Sequence, residues 1–332
     1  MTDHRPDKGS EPPEPAGPSE SGIFSHDPVM VHQVVTLAAD VPPGTFLDAT
    51  VGGGGHAAAL LDANPDLDLL GLDRDELALA AANERLARFG SRVTLRRARF
   101  DQLDEVFVDI GHDGRLSGFL FDLGVSSPQL DRADRGFSFR NDGPLDMRMD
   151  QSADRSADTV VNDYDRNELA DLIRRHSDER FASRIASAIV AARPLRSTAE
   201  LADVVVSAIP AAARRRGGHP AKRTFQAIRI EVNDELIVLR PALEQALDAL
   251  IAGGRGLVLT YHSGEDRIVK HCFRDRTSVD RPHGLPRGLP SIEPDVDFQL
   301  LRPAARQPDD QELAANPRAA SARLRAIERL AA

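Results

Sequence analysis

Cysteine is nearly missing from this chain. Cys272 is the only one in 332 residues, which excludes an intramolecular disulfide and any zinc site built from several thiolates, and fits a reducing cytoplasm. Long apolar runs are missing too. Apolar stretches such as residues 119–121 and 256–260 fall far short of the ~20 residues that span a bilayer, so no membrane helix is expected. Residues 1–25 lack the apolar stretch of a secretory signal; rich in Pro, Glu, Gly and Ser, they read as a disordered acidic tail. Net positive charge is absent: at -10 the surface as a whole repels a polyanion, so any nucleic-acid site must be local. The basic stretches are Arg96, Arg97 and Arg99; then Arg214, Arg215, Arg216, Lys222 and Arg223; then Arg318, Arg323, Arg325 and Arg329.

What is present is an alternation of short strands and helices. Residues 45–49 read as a strand, four glycines follow at 52–55, and a helix begins near Ala57. Strands at 67–72, 92–98 and 117–121 follow, with a helix at 75–88. This order implies an α/β, doubly wound, mainly parallel Rossmann-like sheet. Beyond Pro128 the alternation stops. Residues 131–153 are loop-like and 165–210 show only helical periodicity, with capping-box spacings at Asp165/Glu168 and Ser197/Glu200, so an all-helical domain is inserted there. A helix at 234–252 and a strand at 256–261 return the chain to the sheet. The last fifty residues are rich in Pro and Arg, with a short helix expected over 319–331. The expected organisation is a tail (1–25), a first core segment (26–128), a helical insertion (129–228), a second core segment (229–276) and an Arg/Pro-rich tail (277–332).

Gly52, Gly54 and Ala57 satisfy the spacing G-x-G-x-x-[GA], and Asp73 ends the next strand nineteen positions after Gly54. Glycines let a backbone approach a ligand closely, and an acid at the second strand end can accept from ribose hydroxyls. Nicotinamide and methionine-derived cofactors share this layout, so the glycines leave oxidoreductase and methyltransferase both open. Asp122 ends the fourth strand beside the switch point, and residues 123–129 form a polar loop over it. Phe100 stands just past the third strand, where it can stack on an adenine. No metal-ligand spacing occurs among the His and acidic residues, so no metal is expected.

Residues 122–129 (DLGVSSPQ), 135–139 (RGFSF) and 142–150 (DGPLDMRMD) resemble the bacterial 16S rRNA (cytosine-N4)-methyltransferase family. So do residues 26–29 (HDPV), 54–56 (GGH), 222–236 (KRTFQAIRIEVNDEL), 262–270 (HSGEDRIVK) and 316–325, in the family's order over nearly the whole chain. The resemblance implies a class I methyltransferase core, S-adenosylmethionine as cofactor and the small ribosomal subunit as partner. It places the methionine cradle at Gly54, Gly55 and His56, the ribose acid at Asp73, and further cofactor contacts at Phe100, Asp122 and Gln129. The chain departs from the family pattern at Gly53, Gly264 and Ala320.

Methylating a cytosine N4 amine requires alignment with the methyl-sulfur bond and an acceptor for an N4 hydrogen. Asp122, Ser126, Asp142 and His262 are the acceptor candidates, with Ser127 and Asp146 beside them, and the residues do not rank them. Arg215, Lys222 and Arg223 are the preferred phosphate contacts. A catalytically silent ribosome-assembly factor and a methyltransferase of another substrate remain as rival readings, and monomer and homodimer both stay open.

Overall fold

The computed structural model describes residues 28–214, 218–278 and 296–331. The tail expected over residues 1–25, together with Arg215 and Arg216, lies outside them. The first described helix, α1 (Val31–Ala38), was not evident as an element in the sequence. It is followed by β1 (Gly44–Asp48), α2 (Gly55–Ala63), β2 (Leu67–Asp73), α3 (Glu76–Leu86), β3 (Val93–Arg97), α4 (Leu103–Ile110) and β4 (Leu116–Asp122). All four expected strands therefore form. Their side chains alternate between two cores: Leu47, Phe119 and Phe121 pack on one face of the sheet, Phe46 and Leu120 on the other. Burial on both faces explains why these strands read as unbroken apolar runs.

The sheet has seven strands in the order β3-β2-β1-β4-β5-β7-β6, where β5 is Leu250–Thr260, β6 is Phe298–Leu300 and β7 is Arg323–Arg329. Strands β1 to β5 are mutually parallel, and β7 runs antiparallel to β5. Because β2 lies on one side of β1 and β4 on the other, the strand order reverses between β1 and β4, and a crevice opens at their carboxyl ends.

Between β4 and β5 the chain forms α5 (Ser127–Asp131), an irregular stretch, α6 (Ala157–Asp163), α7 (Arg166–Ser177), α8 (Ala182–Ala192), α9 (Thr198–Ala208), α10 (Ala211–Arg214), α11 (Lys222–Asn233) and α12 (Glu235–Ala249). Helices α6 to α9 and α11 enclose a third hydrophobic cluster that includes Val160, Leu169, Ile185, Leu201 and Ile228. The α7 start carries both halves of its capping box: Asp165 accepts from Glu168 N at 2.9 Å, and Glu168 accepts from Asp165 N at 2.8 Å. Ser197 caps α9 by accepting from Glu200 N at 3.4 Å.

The C-terminal segment differs from its expectation. Residues 323–329 form β7 and not a helix, and the segment from Phe298 onward is built into the sheet's edge instead of trailing from it. Ala, Leu, Arg and Glu favour helices in isolation, but Leu324, Ala326 and Ile327 are buried against β5 and its neighbours. Strand pairing and burial override the weak local preference. Among the described residues no helix is long and apolar enough to cross a membrane.

Candidate functional site

Four adjacent strands end in acids or polar groups at the crevice. Asp48 ends β1, Asp73 ends β2, Asp122 ends β4, and Thr260 ends β5 ahead of Tyr261 and His262. The turn after β1 reverses tightly enough to need glycine at two points. Gly52 has φ +50° and Gly54 has φ +75°, and a Cβ on Gly54 would lie 3.2 to 3.3 Å from Leu86 and Ala82. Helix α2 then starts at Gly55, aiming its first amides at the crevice.

Asp73 is tied into this turn: Oδ2 accepts from Gly52 N and Oδ1 from Asp75 N, each at 2.9 Å. Burial pushes its carboxyl up, against the pull of those two backbone bonds. Each oxygen keeps a second lone pair, so a ribose remains a feasible partner. Asp48, which the sequence reading passed over, is 1% exposed and accepts from Thr50 N at 3.2 Å. Burial, then the nearby Asp122 and Asp73, push it up to about 8. Its signal was available, since it stands at a strand end as Asp73 and Asp122 do.

Asp122 is held on three sides. Its amide donates to Thr50 Oγ1 at 2.7 Å, Tyr261 donates its hydroxyl hydrogen to Oδ1 at 2.7 Å, and His56 Nδ1 stands 3.7 Å from Oδ2. Burial pushes its carboxyl up to about 7, partly offset by the Tyr261 bond, while Glu265 adds to the rise. His56 is buried with Nε2 2.9 Å from Val29 O, which makes Nε2 the protonated nitrogen and leaves the Nδ1 lone pair facing Asp122. Burial pushes this imidazole down to about 4, so it is neutral at pH 7.

Phe100 meets Phe121 edge to face at 5.6 Å, beside Asp122. Gln129 faces a different partner set: its amide donates to Asp75 Oδ2 at 3.0 Å and its carbonyl accepts from Ser126 N at 3.1 Å. Asp75 also receives Arg135 Nη1 at 2.8 Å, forming a buried ion pair that no local pattern reveals, since sixty positions separate the partners. Arg135 further donates to the carbonyls of Arg148 and Met149. The loop after β4 is thereby fastened to the start of α3.

The other acceptor candidates have other partners. Asp142 lies at the start of α9, where Oδ1 accepts from Ala199 N at 3.1 Å, and Asp146 binds Arg148 through both oxygens. Neither of these bonds reaches the Asp122 group. His262 caps α13 (Ser263–Thr277): Nδ1 accepts from Gly264 N at 3.2 Å and Glu265 N at 3.4 Å. Its Nε2 lies 3.2 Å from Glu265 Oε1 but off the line of a hydrogen bond, and has no hydrogen-bond partner. Glu235, His262 and Glu265 bring ligand-type atoms within 4.8 Å of one another, a metal-like grouping that motif spacing did not reveal. Both Glu235 oxygens, however, accept from Arg229 at 2.8 Å, and Glu265 Oε2 accepts from the amides of Tyr261 and His262.

The Arg-rich stretches are largely paired. Arg97 binds Glu76 and Asp150, Arg99 binds Asp101, Arg318 binds Asp131, and Arg323 and Arg325 share Asp266. Lys222 is exposed at the head of α11, and Arg223 is exposed with Nη1 3.7 Å from Glu179. Arg214 caps the end of α9 through the carbonyls of Ile209 and Ser207.

The crevice fits a cationic cofactor. Three carboxyls crowd together here: burial raises the proton affinity of each, Asp48 is raised further by Asp122 and Asp73, and the imidazole among them is uncharged. A sulfonium or ammonium relieves that crowding, whereas a pyrophosphate aggravates it. A doubly wound sheet with this turn and these acids is the frame of a Rossmann-like methyltransferase. The chain belongs to the MraW methylase family, whose model matches residues 23–330. Its cofactor is S-adenosylmethionine. The chain is 52% identical over 311 residues to the ribosomal RNA small subunit methyltransferase H of Thermobifida fusca (strain YX), covering 92% of this chain and 93% of that protein. It is 50% identical to the protein of the same name from Saccharopolyspora erythraea, again over 92% of this chain and 93% of that one. Among solved structures, an rRNA methylase from Streptococcus thermophilus aligns with TM-score 0.41 and 14% identity, over 91% of this chain and 96% of that one.

Proposed function

We propose that the protein transfers the methyl group of S-adenosylmethionine to the exocyclic N4 amine of a cytidine in the decoding region of 16S rRNA. The names of its relatives support small-subunit RNA as the substrate. The observation that carries the amine reading is Asp122: a half-buried carboxyl at the switch point, fixed by Tyr261 and raised to about 7. Such a group can accept a hydrogen bond from N4–H, localise the nitrogen lone pair toward the methyl, and take the proton afterwards. We assign it that role in preference to Ser126, Asp142 and His262. Methylation at cytosine C5 would instead need a thiolate to add to the ring. Cys272 is buried in α13 with its thiol pushed up to about 11 by burial, which suits a packing residue and not a nucleophile.

The cofactor supplies an electrophilic methyl on a sulfonium. The protein's contribution is to position and to exclude water. Gly54, Gly55 and His56 would cradle the methionine part, Asp73 the ribose, and Phe100 the adenine side. Gln129 would act from the loop end that Asp75 and Arg135 hold. Holding N4 in line with the methyl-sulfur bond is worth up to roughly 7 to 11 kcal/mol in favourable systems. The target base must leave its stack to reach the crevice, at a cost of a few kcal/mol if it is paired. Lys222 and Arg223, with Arg215, are the proposed phosphate contacts.

The family relationship speaks against a nicotinamide dinucleotide as cofactor. Single-turnover transfer of labelled methyl from S-adenosylmethionine to unmethylated small subunits tests the proposal against a silent assembly factor. Label in RNA supports catalysis; label absent at stoichiometric enzyme, with cofactor bound, contradicts it.

A further inference from the structure

The helical unit carries a second aromatic feature that the crevice does not use. Phe139 and His219 stack face to face, 4.5 Å between ring centres and 12° between planes. The stack is anchored from below: Phe225, 3% exposed, meets Phe139 edge-on at 5.8 Å, and Phe139 packs on the helical cluster. His219 itself is exposed, so one face is covered by Phe139 while solvent reaches the rest of the ring. The ring is held in place at the head of α11, where Nδ1 accepts from Ala221 N at 3.3 Å and the backbone carbonyl accepts from Lys222 N at 3.0 Å. Cationic residues lie close by. The Arg140 guanidinium carbon lies 5.7 Å from the Phe139 ring centre, and Lys222 and Arg223 are exposed on the next turn.

We propose that the Phe139–His219 stack is a platform on which one unpaired base of the RNA substrate lies against His219, with Arg140 and Lys222 facing the flanking phosphates. This rests on the RNA reading above. An exposed ring backed by Phe139, with Arg140 and Lys222 nearby on a chain of net charge -10, matches an unpaired nucleotide in both its base and its phosphate. An apolar protein partner would gain nothing from the cations. Since every base has a π-face, the platform contributes affinity and registers the strand; it does not choose the target base.

His219 also accepts from the Ala221 amide just ahead of α11, and two variants separate the roles. His219→Asn keeps a short acceptor for the Ala221 amide but removes the ring; His219→Tyr keeps a ring but loses that acceptor. Filter binding of the full-length protein to unmethylated small-subunit RNA should show His219→Asn weakened at least about five-fold and His219→Tyr within about two-fold of wild type, with S-adenosylmethionine affinity unchanged in both. Equal binding by all three proteins, equal loss in both variants, or loss in the Tyr variant alone would overturn the platform while wild-type binding stands. Failure of the wild type to bind this RNA would overturn the substrate reading itself, and the platform with it.

Discussion

Tyr261 donates its hydroxyl hydrogen to Asp122 Oδ1 at 2.7 Å, tying the end of β5 to the end of β4. Gly124 lies beside the ring at φ +102°, a backbone conformation that side-chain-bearing residues rarely adopt. The charged and titratable groups around Asp122 are His56 from α2, Asp48 from β1, and Tyr261 and Glu265 from the β5–α13 corner. Of these, Tyr261 lowers the carboxyl's proton affinity, and burial and Glu265 raise it. Tyr261→Phe should therefore move the acid limb of the kcat/KM profile upward from about pH 7 by roughly one unit, since an ionised base is reached later. A pH profile of methyl transfer reads this directly. A uniform loss of rate with an unmoved limb would mean that Tyr261 merely packs.

His56 makes the fold acid-sensitive. Its folded value of about 4 lies below the 6.5 of the unfolded chain, so the unfolded state takes up a proton first as pH falls. Its contribution is intact above pH 6.5 and is lost progressively toward pH 4, amounting to about 3 kcal/mol over the window. Urea unfolding between pH 7 and pH 4 should show that slope in wild type, and a shallower one in His56→Gln.

Asp48 acts with the opposite sign. A carboxyl raised from 3.8 to about 8 is protonated in the folded state over a range where the unfolded chain has released its proton. Ionisation of the unfolded chain thus costs stability as pH rises from 3.8 toward 8. Asp48→Asn should be more stable than wild type at pH 8, by a few kcal/mol, with the gain shrinking toward pH 4. Thermal unfolding at the two pH values checks it, and a destabilised variant at pH 8 would refute the burial argument.

The Arg135–Asp75 pair is enclosed, with side chains 2% and 7% exposed. Removing one partner leaves an uncompensated buried charge, so Arg135→Met should cost about 3 to 5 kcal/mol in denaturant unfolding. Arg135→Met with Asp75→Asn should recover part of that loss. Gln129 shares Asp75, so the single variant should also loosen the loop after β4 and weaken the cofactor.

Much of this was legible in the sequence because it is local. The strand-glycine-helix order around residues 52–55 and the acids ending β2 and β4 follow from short-range pattern, as do the caps at Asp165 and Ser197. The unread parts depend on distant partners. Strand β7 is made a strand by pairing with β5, against its own helical composition. The Arg135–Asp75 pair and the Glu235, His262 and Glu265 grouping join segments far apart in the chain. His262 and Glu265 could be read equally as a turn pair or a substrate contact; backbone geometry makes them a capping box. The basic clusters could not be sorted into free and paired residues until the acids opposite them were placed.

The N4 amine of a cytidine is the proposed methyl acceptor. Mass spectrometry of nucleosides from unmethylated small subunits, incubated with the purified protein and deuterated-methyl S-adenosylmethionine, tests it most directly. Labelled N4-methylcytidine is expected from wild type, and its loss in Asp122→Asn. Label on C5 of cytosine, on a ribose hydroxyl or on another base would contradict it.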